Sequence, residues 1–444
     1  QIIAYRGGKM MSTKVQNQPT KSSPVSMRSF FAIWTGQVFS LLGSELVQFA
    51  LVWWLVTTTG SAMTLALATM MAVLPRVFVG PFAGPLVDRW NRRRVMMFAD
   101  GLSALSVAVL AALFATGAVQ VWHIYALMFV RAACGAFHWP AMLASTTLMV
   151  PEKHLARVAG LNQSLQGLGA IVAPPLGALL LHVAPMQGIL AIDVATAIVA
   201  IAPLFFVHVP QPDRTEALAQ QSRPSMVAEM REALRFLRGL PGILIVIGIA
   251  IFVNLLVFPA VSLQPLLVTE HFGGDALQLA WLQSAFGVGM VAGGVTLSAW
   301  GGFKSRAVTG FLALALNGVG LVVVGLAPAN SFLLALGAMF FAWFMNPIAN
   351  GSFYTVLQVI VPAEMQGRVF TLLQSAAGAM IPLGLVIAGP LSDILGVRFW
   401  FLIAGATMAV MGVGALFVPA ITRLDDRASG NVTETASIGD SLSL

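Results

Sequence analysis

Apolar residues are grouped in twelve long runs that are separated by short polar segments. Each run has about 20 residues or more, the length that an α-helix needs to cross the hydrocarbon core of a bilayer. The runs lack the alternation of apolar and polar positions that is typical of a transmembrane β-barrel. The sequence therefore predicts an all-α membrane protein with twelve transmembrane helices. The runs lie near residues 30–57, 63–87, 95–117, 122–149, 157–182, 187–208, 241–266, 277–300, 305–326, 331–359, 368–392 and 397–419.

One charged segment interrupts the series after the sixth run and divides the chain into two sets of six. Between Ser225 and Leu237, apolar residues recur at helical spacing with charged residues between them. This pattern predicts an amphipathic helix at the membrane surface. Both chain ends are expected to be tails, in part added or disordered sequence. The expected organisation is a tail at 1–28, a six-helix half at 29–208, a linker at 209–240, a second half at 241–420 and a tail at 421–444.

The two halves share a sequence repeat. The segment 150–167 recurs as 361–378 at a constant offset of 211 residues, with eight identities in 18 positions. Because the identities include polar Arg, Gln and Ser, chance similarity between two apolar segments is a weak explanation. Duplication of a six-helix unit is the simplest account, and two parallel halves of this kind place a substrate site between them near the middle of the membrane.

The composition supports this architecture and excludes others. Hydrophobic residues make up 58% of the 444 residues and charged residues 9%, with a mean hydropathy of +0.86, whereas a soluble domain carries about 25% charged residues. A soluble enzyme, a secreted domain and a disordered chain are therefore excluded. The single Cys134 excludes a disulfide framework and a cysteine metal cluster. The six histidines have no metal-ligand spacing, so no cofactor or metal is expected.

The basic residues predict the orientation. Of the 24 Lys and Arg residues, 21 fall in segments that lie on the same side of the membrane as the amino terminus, and one, Arg398, falls on the other side. Positive loops face the cytoplasm, so both termini are expected to be cytoplasmic. This bias also explains the net charge of +7, so a nucleic-acid partner is not needed.

Apart from the arginines at the very start of four runs, five charged residues lie inside the apolar runs: Glu45, Arg76, Asp100, Arg131 and Asp193. A charge within the membrane costs several kcal/mol unless it is paired. Asp100 lies only six residues past the basic loop that ends at Arg94, so we expect it to pair with the arginines there. Arg76 needs an acidic or carbonyl partner, for which Glu45 and Asp193 are the deep candidates.

The loop between the second and third runs contains Gly84-Pro-Leu-Val-Asp88-Arg89-Trp-Asn91-Arg92-Arg93. It resembles the loop signature of the major facilitator superfamily, in which Gly usually stands where this chain has Asn91. Glycine lets two helices approach closely, and the aspartate can bind a helix amino terminus or an arginine and thereby join the two halves. We expect a conformational latch here. Its candidate residues are Gly84, Asp88, Arg89, Arg92, Arg93 and Asp100.

Two further motifs resemble those of this superfamily. The setting of Arg131, Arg-Ala-Ala-Cys-Gly, is similar to a fourth-helix arginine motif that the superfamily uses in proton coupling. The stretch around Pro174, Pro175 and Gly177 resembles the fifth-helix signature of drug:proton antiporters, with Ala where the signature has Gly at position 173. A Pro-Pro pair kinks a helix and frees backbone carbonyls.

A more specific resemblance, to the macrolide efflux proteins of the same superfamily, covers nearly the whole chain. It implies a drug:proton antiporter for bulky, amphipathic and often cationic compounds. The macrolide efflux proteins have an apolar residue at the position of Glu45. The stretches that carry the resemblance include Gly36-Gln37, Thr59-Gly-Ser-Ala-Met63, Ala136-Phe-His138, Gln163-Ser-Leu-Gln166 and Ala191-Ile-Asp-Val194.

A proton-coupled exporter needs a carboxyl group that alternates between the charged and neutral forms inside the membrane. Glu45 is the first candidate and Asp193 the second, in a proton-coupling network with Arg76 and Arg131. The second half has no deep charge, so we expect it to supply polar and aromatic substrate contacts. The candidate substrate-binding residues are Gln37, Gln48, His138, Asn254, Phe258, Gln283, Trp343, Asn346, Asn350 and Tyr354.

The sequence thus predicts a secondary transporter of the bacterial cytoplasmic (inner) membrane, expected to be a monomer, that exports drug-like small molecules against protons. A siderophore or lipid exporter is the alternative within transport, since an anionic substrate would use Arg76 and Arg131. A polytopic membrane enzyme or a sensor is the alternative from another class. The enzyme would need a cluster of His, Asp or Glu at a membrane face, and the sensor a soluble output domain.

Overall fold

A computed structural model of the protein describes residues 27–207, 209, 211 and 226–419. Within this part, twelve helices are long and apolar enough to cross a membrane. The predicted all-α architecture is confirmed. The predicted tails and most of the linker lie outside the described residues. The first half has α1 Met27–Thr59, α2 Ala62–Arg89, α3 Arg92–Ala115, α4 Val121–Met149, α5 Glu152–Val183 and α6 Met186–Phe206.

The helix α7, Met226–Arg238, lies between the halves in sequence. Leu237 is buried, whereas Arg231 and Arg235 are exposed, as an amphipathic surface helix requires. The second half has α8 Pro241–Ser262, α9 Ala276–Trp300, α10 Arg306–Leu326, α11 Phe332–Ile360, α12 Ala363–Leu395 and α13 Arg398–Ala415. After α8, a short helical turn and the π-helical turn Leu267–His271 continue the chain.

Local sequence explains where several helices begin. Ser61, Asn91, Asp275 and Ser305 each precede a helix, and each side chain accepts a hydrogen bond from a backbone N–H in the first turn. Such caps satisfy donors that have no partner within the helix. Gly301, at φ +78°, ends α9 in the left-handed region that a Cβ disfavours. Short capped turns keep successive helices antiparallel.

The two halves repeat the same packing. In the first half, α4 packs against α2 and α3, and α6 packs against α1 and α3. In the second half, α11 packs in the same way against α9 and α10, and α13 against α8 and α10. The sequence repeat coincides with this symmetry, because Pro151 and Pro362 stand at equivalent positions before α5 and α12 with nearly the same ψ, 141° and 144°. The predicted pseudo-repeat is confirmed.

The halves meet through α2 with α12 and through α5 with α9. We call the face where α1 begins the tail face and the opposite face, where α1 ends, the far face. Close contacts between the halves lie toward the far face: Asp393 accepts a hydrogen bond of 2.9 Å from the Ala62 backbone N–H, and a Cβ on Gly389 would lie 2.8 Å from Met63 Sδ. In the tail-side halves of α5 and α12, Gln163 and its repeat partner Gln374 are exposed. The described molecule is therefore closed at the far face.

An acidic pair accompanies this closure. Glu270 lies on the π-helical turn after α8, outside the membrane-spanning segments. Partial burial and repulsion by the Asp393 carboxylate raise the pKa of Glu270 above the ordinary range of a glutamate. The same Asp393 therefore binds the start of α2 and faces a second carboxylate, which makes the far-face contact sensitive to the charge of Glu270.

Candidate functional site

A cavity of about 490 Å³ lies within the first half. Residues from all six helices α1 to α6 line it, and it extends from Trp34 near the tail face to Gln48 and Met128. Every residue that lines it belongs to the first half. The cavity contains the five charged residues that the apolar runs carry, so the structure brings together side chains that are up to 148 positions apart in sequence.

The deeper part of the cavity holds an ion pair. Arg131 on α4 donates to Asp193 on α6 at 3.0 Å, and only 15% and 5% of the two side chains are exposed. The Ser44 hydroxyl on α1 donates to the second Asp193 oxygen at 3.1 Å. Arg131 also contacts the Ser44 carbonyl at 3.4 Å. The pair therefore joins α1, α4 and α6 at one point.

Close helix packing holds this pair in place. A Cβ on Gly43 would overlap Thr196 Oγ1 and lie 3.2 Å from Asp193 Oδ1. Glycine thus leaves room on α1 for the side chains of Asp193 and Thr196 on α6. Asp193 is thereby fixed between a small residue on α1 and its Arg131 partner, which limits the positions that its carboxylate can take. We therefore regard Gly43 as a part of the site that sequence reasoning missed.

Glu45 and Arg76 face the same cavity without a direct partner. Neither side chain forms a hydrogen bond or an ion pair within the described part of the chain, although Glu45 lies in the electrostatic field of both Arg131 and Arg76. The expected ion pair of Arg76 with Glu45 or Asp193 is not formed: Asp193 is paired with Arg131, and Glu45 interacts with Arg76 only through its electrostatic field. Glu45 is exposed to the cavity, so water or a bound solute can reach its carboxylate.

A second polar cluster lies nearer the tail face. Gln37 Nε2 on α1 donates to Asp100 Oδ2 on α3 at 2.9 Å, and His138 Nε2 on α4 lies 3.3 Å from Asp100 Oδ1. The expectation that Asp100 pairs with the basic loop is therefore wrong. Asp100 lies two turns into α3, and its side chain points into the bundle toward α1 and α4, away from the loop.

The arginines of the basic loop bind within their own half. The buried Arg92 donates to the Ala144 carbonyl near the end of α4 at 2.8 Å, and Arg93 donates to the carbonyls of Leu204 and Phe205 near the end of α6. Positive groups at helix carboxyl ends complement the exposed carbonyls and the helix dipole. Arg89 is exposed. Gly84 and Asp88 lie in the last turns of α2, and their side-chain surroundings lie outside the described residues, so the latch stays a prediction.

The proline motif lies inside α5, with Pro174 buried. Two residues past the Pro174-Pro175 pair, Gly177 is in contact with α1, where a Cβ would lie 2.8 Å from a ring carbon of Phe49. The motif therefore shapes the contact of α5 with α1 inside the first half. One and a half turns nearer the tail face, Ser284 on α9 donates to the Ile171 carbonyl on α5 at 2.8 Å, across the halves.

The polar residues predicted in the second half do not line the cavity. Asn254 donates to its own helix, and Asn350 donates to Asn346 one turn away. Tyr354 accepts from Gln374 at 2.8 Å, which joins α11 to α12. The remaining three pack or face elsewhere: Trp343 stacks near Phe286, and Phe258 and Gln283 lie outside the lining set. Gln37, Gln48 and His138 do line it.

Some residues that build the site gave no signal in the sequence. Ser44 binds Asp193, and Asn162 on α5 accepts from the Trp34 indole N–H at 2.8 Å. Serine and asparagine are unremarkable in apolar helices, so only their position opposite a charge or an indole shows what they do. A small residue next to a deep acid, such as Gly43 and Ser44 before Glu45, is the one signal that could have found part of this set.

The fold thus consists of two equivalent six-helix halves that are closed against each other at one face, with a charged cavity inside the first half, and this architecture is typical of a secondary transporter. The chain belongs to the Major Facilitator Superfamily, whose family profile matches residues 33–264 and 247–443. It is therefore a multi-pass membrane transport protein.

Several curated proteins are similar along nearly their whole length. Macrolide efflux protein A of Streptococcus pyogenes is 32% identical over 397 residues, which cover 89% of this chain and 97% of that protein. The multidrug efflux pump Tap of Mycolicibacterium fortuitum is 31% identical over 424 residues, covering 91% and 98%.

Solved structures share the fold. The crystal structure of a D-xylose-proton symporter has a TM-score of 0.66 at 15% identity and covers 90% of this chain and 99% of its own. A bacterial homologue of the human lysosomal transporter Spinster, crystallised in an inward-facing and unoccupied conformation, has a TM-score of 0.64 at 15% identity and covers 92% and 98%. At this identity the likeness establishes the architecture alone.

Proposed function

We propose that this transporter exports amphipathic, cationic, macrolide-like compounds from the bacterial cytoplasm in exchange for protons. The names of the efflux relatives support the substrate class. The tail face would be the cytoplasmic face of the inner membrane, because the basic loops lie on that side. The far-face closure would then correspond to a cavity that receives its substrate from the cytoplasm, and rocking of the halves would expose it to the other side.

The main support for this proposal is the net charge of the ionisable groups that line the cavity. Three carboxylates, from Glu45, Asp100 and Asp193, face two guanidinium groups, from Arg76 and Arg131. With His138 neutral, one negative charge is left without a counter-charge in a region of low dielectric constant. One proton or one monovalent cationic substrate compensates it, and binding of either disfavours the other. Competition of this kind is what exchange requires.

The same charge balance favours a cationic substrate over an anionic one. A siderophore or an acidic lipid would add to the uncompensated negative charge, because Arg131 is already paired with Asp193. The charge balance therefore favours the export of cationic compounds over the export of a siderophore or a lipid. The small molecule, protons and the surrounding lipid are the proposed partners, and the protein acts as a monomer in this scheme.

Proton release from the detergent-purified protein on addition of the macrolide erythromycin tests the proposal. We expect the wild type to release about one proton per bound cation, since one charge is uncompensated. Glu45→Gln and Asp193→Asn should each lower the release strongly. Glu232→Gln, a carboxylate-to-amide change in an exposed pair with Arg368 outside the cavity, is the matched control. Erythromycin binding without proton release by the wild type would contradict proton exchange.

A further inference from the structure

The cavity contains two separate levels of ionisable groups, and the proposed proton carriers Glu45 and Asp193 both belong to the deeper level. His138 is two turns of α4 away from Arg131, about 10 Å along the helix. Gln37 is eight residues before Glu45 on α1, about 12 Å. The tail-side cluster of Gln37, Asp100 and His138 is therefore not part of the deep ion pair. It lies between that pair and the tail face.

The cluster has the geometry of a proton-binding site. Asp100 accepts from Gln37 at 2.9 Å, and His138 Nε2 lies within 3.3 Å of the second Asp100 oxygen. This separation is within ion-pair distance, although His138 Nε2 is buried and does not have the alignment of a hydrogen bond to Asp100; a proton taken up by the imidazole places a positive charge directly beside the carboxylate. The imidazolium so formed keeps the carboxylate as its direct counter-charge.

The location also suits proton exchange with water. The two side chains are 17% and 14% exposed, which is partial burial with access from the cavity. The cavity extends toward the tail face, where Trp34 and Asn162 line it. A proton that leaves the deep carboxylates toward the tail face passes this level. Imidazole is the side chain that gains and loses a proton between about pH 5 and 8.

Protonation of His138 changes the net charge of the cavity. The three carboxylates exceed the two guanidinium groups by one, and an imidazolium at His138 removes the excess. Asp100 on α3 is in direct contact with His138. The other charged and titratable groups that line the same cavity are Glu45 on α1, Arg76 on α2, Arg131 and Cys134 on α4, and Asp193 on α6.

We propose that Asp100 and His138 form a second proton-binding site, through which the cavity exchanges its proton with water at the tail face. On uptake, the His138 imidazole takes a proton from water and the resulting imidazolium is stabilised by the Asp100 carboxylate 3.3 Å from Nε2; on release, the proton returns to water. The role in transport rests on the proposed proton-coupled export. The proton binding itself does not, and it can be measured without substrate and without a membrane gradient.

The chain carries a built-in reporter for this site. Cys134 is the only cysteine, lines the cavity one helical turn before His138, and lies in the electrostatic field of Asp100 and Arg131. The thiolate is the form that reacts with maleimide, and a positive charge nearby increases its fraction. A proton on His138 should therefore raise the labelling rate of Cys134 by roughly three- to tenfold over a neutral imidazole.

The test is the maleimide labelling rate of Cys134 in the purified, substrate-free full chain from pH 5 to 9. Below its pKa, an isolated thiol reacts about ten times faster for each unit by which the pH rises, so the logarithm of its labelling rate is a straight line against pH. Titration of His138 appears as an inflection on this line. We expect the inflection in the wild type, its loss in His138→Gln and its displacement to lower pH in Asp100→Asn. His154→Gln, at the start of α5 outside the cavity lining, should keep it.

A wild-type profile without an inflection would overturn the proposal, and this result needs no variant to fold. An inflection that survives in well-folded His138→Gln would also overturn it. Failure of the proposed export looks different: the inflection is present and depends on His138, but erythromycin releases no proton. If the wild type does release a proton, His138→Gln should shift the pH dependence of that release.

Discussion

At the scale of single residues, we expect the ion pair of Arg131 and Asp193 to affect both the stability of the protein and the proposed transport. The two side chains are almost fully removed from solvent and share hydrogen bonds with Ser44. Breaking a buried pair by removal of one partner costs about 3–5 kcal/mol, whereas removal of both charges costs much less, because no uncompensated charge remains. A comparison of single and double variants of this pair can therefore separate effects on stability from effects on transport.

We expect Asp193→Asn to lower the melting temperature in detergent because it leaves Arg131 without its counter-charge. Adding Arg131→Gln to this variant should restore most of the lost stability but not drug export, since the carboxylate is still missing. Thermal unfolding followed by tryptophan fluorescence, together with efflux from cells, measures both. A loss of stability in the double variant equal to the sum of the losses in Asp193→Asn and Arg131→Gln would mean that the pair is not coupled.

The sequence revealed the charged residues of the site more readily than their partners. Glu45, Arg76, Asp100, Arg131 and Asp193 are conspicuous because a charge is rare in an apolar run. Which side chains meet depends on the rotation of each helix about its axis, and the apolar runs do not encode that rotation clearly. The pairing of Asp100 with Gln37 and His138 was therefore missed.

At the scale of helices, the contact of α5 with α9 controls how closely the halves meet. A Cβ on Gly287 would lie 2.7 Å from Ile171 Cγ1 and 3.3 Å from the Ala170 backbone carbon. Backbone cannot move aside as a flexible side chain does, so a larger residue must separate α5 from α9. Gly294, two turns further along α9, has open space around it.

Gly287→Val should therefore weaken closure at the far face, and Gly294→Val should leave it unchanged. Spin labels at Gly117 and Asn330, in far-face loops of the first and second half, would report the separation in a background where Cys134 is replaced by Ser. We expect a longer and broader distance distribution for Gly287→Val. A distribution identical to that of Gly294→Val would show that this contact does not limit the approach of the halves.

The far-face contact also has a pH dependence whose direction follows from Glu270. Its pKa is raised in the closed molecule by burial and by Asp393, so the closed state binds a proton more tightly than a state in which Glu270 is free of both. The stabilisation of the closed state by the proton on Glu270 is fully present below the ordinary pKa of a glutamate. It is lost as the pH rises through the raised pKa of Glu270 in the closed state.

The same pair of spin labels should accordingly show more open molecules as the pH rises from 4 to 7. Glu270→Gln should remove this dependence and keep the far face closed at neutral pH, because the amide does not repel Asp393. Glu232→Gln, on the linker helix at the tail face, is the control that should retain the wild-type dependence. A pH response that is unchanged in Glu270→Gln would assign the effect to another group.

Helix number, type and approximate bounds followed from the sequence because a bilayer demands about 20 apolar residues per crossing. Cap residues such as Ser61 and Asp275 fix helix starts locally. The positions of the polar side chains in the second half could not be predicted from the sequence. Asn254, Asn346 and Asn350 form hydrogen bonds within their own helices and do not line the cavity. An amide in an apolar helix satisfies itself on a nearby carbonyl as readily as it binds a substrate.

At the scale of the whole molecule, the distribution of basic residues predicts how the protein sits in the membrane. Arg92 and Arg93 are bound at the tail face to the ends of α4 and α6, and the linker helix with its arginines lies on the same side. Moving these groups across the hydrocarbon core during insertion would be costly. The tail face is therefore expected to remain in the cytoplasm.

A reporter that is active only in the cytoplasm, fused after Leu444, should be active, and the same reporter inserted in the loop at Gly117 should be inactive. The reciprocal pattern with a periplasmic reporter is the control. Activity of the cytoplasmic reporter at Gly117 would reverse the orientation, and with it the direction of transport proposed for the closed far face.

The two halves arose as copies of one unit, yet all the ionisable groups that line the cavity belong to the first copy. The two halves can therefore acquire substitutions independently of each other. Substitutions in helices α8 to α13 leave the residues that line this cavity unchanged. The second half can therefore change how it packs and moves against the first half while the charges of the cavity stay the same.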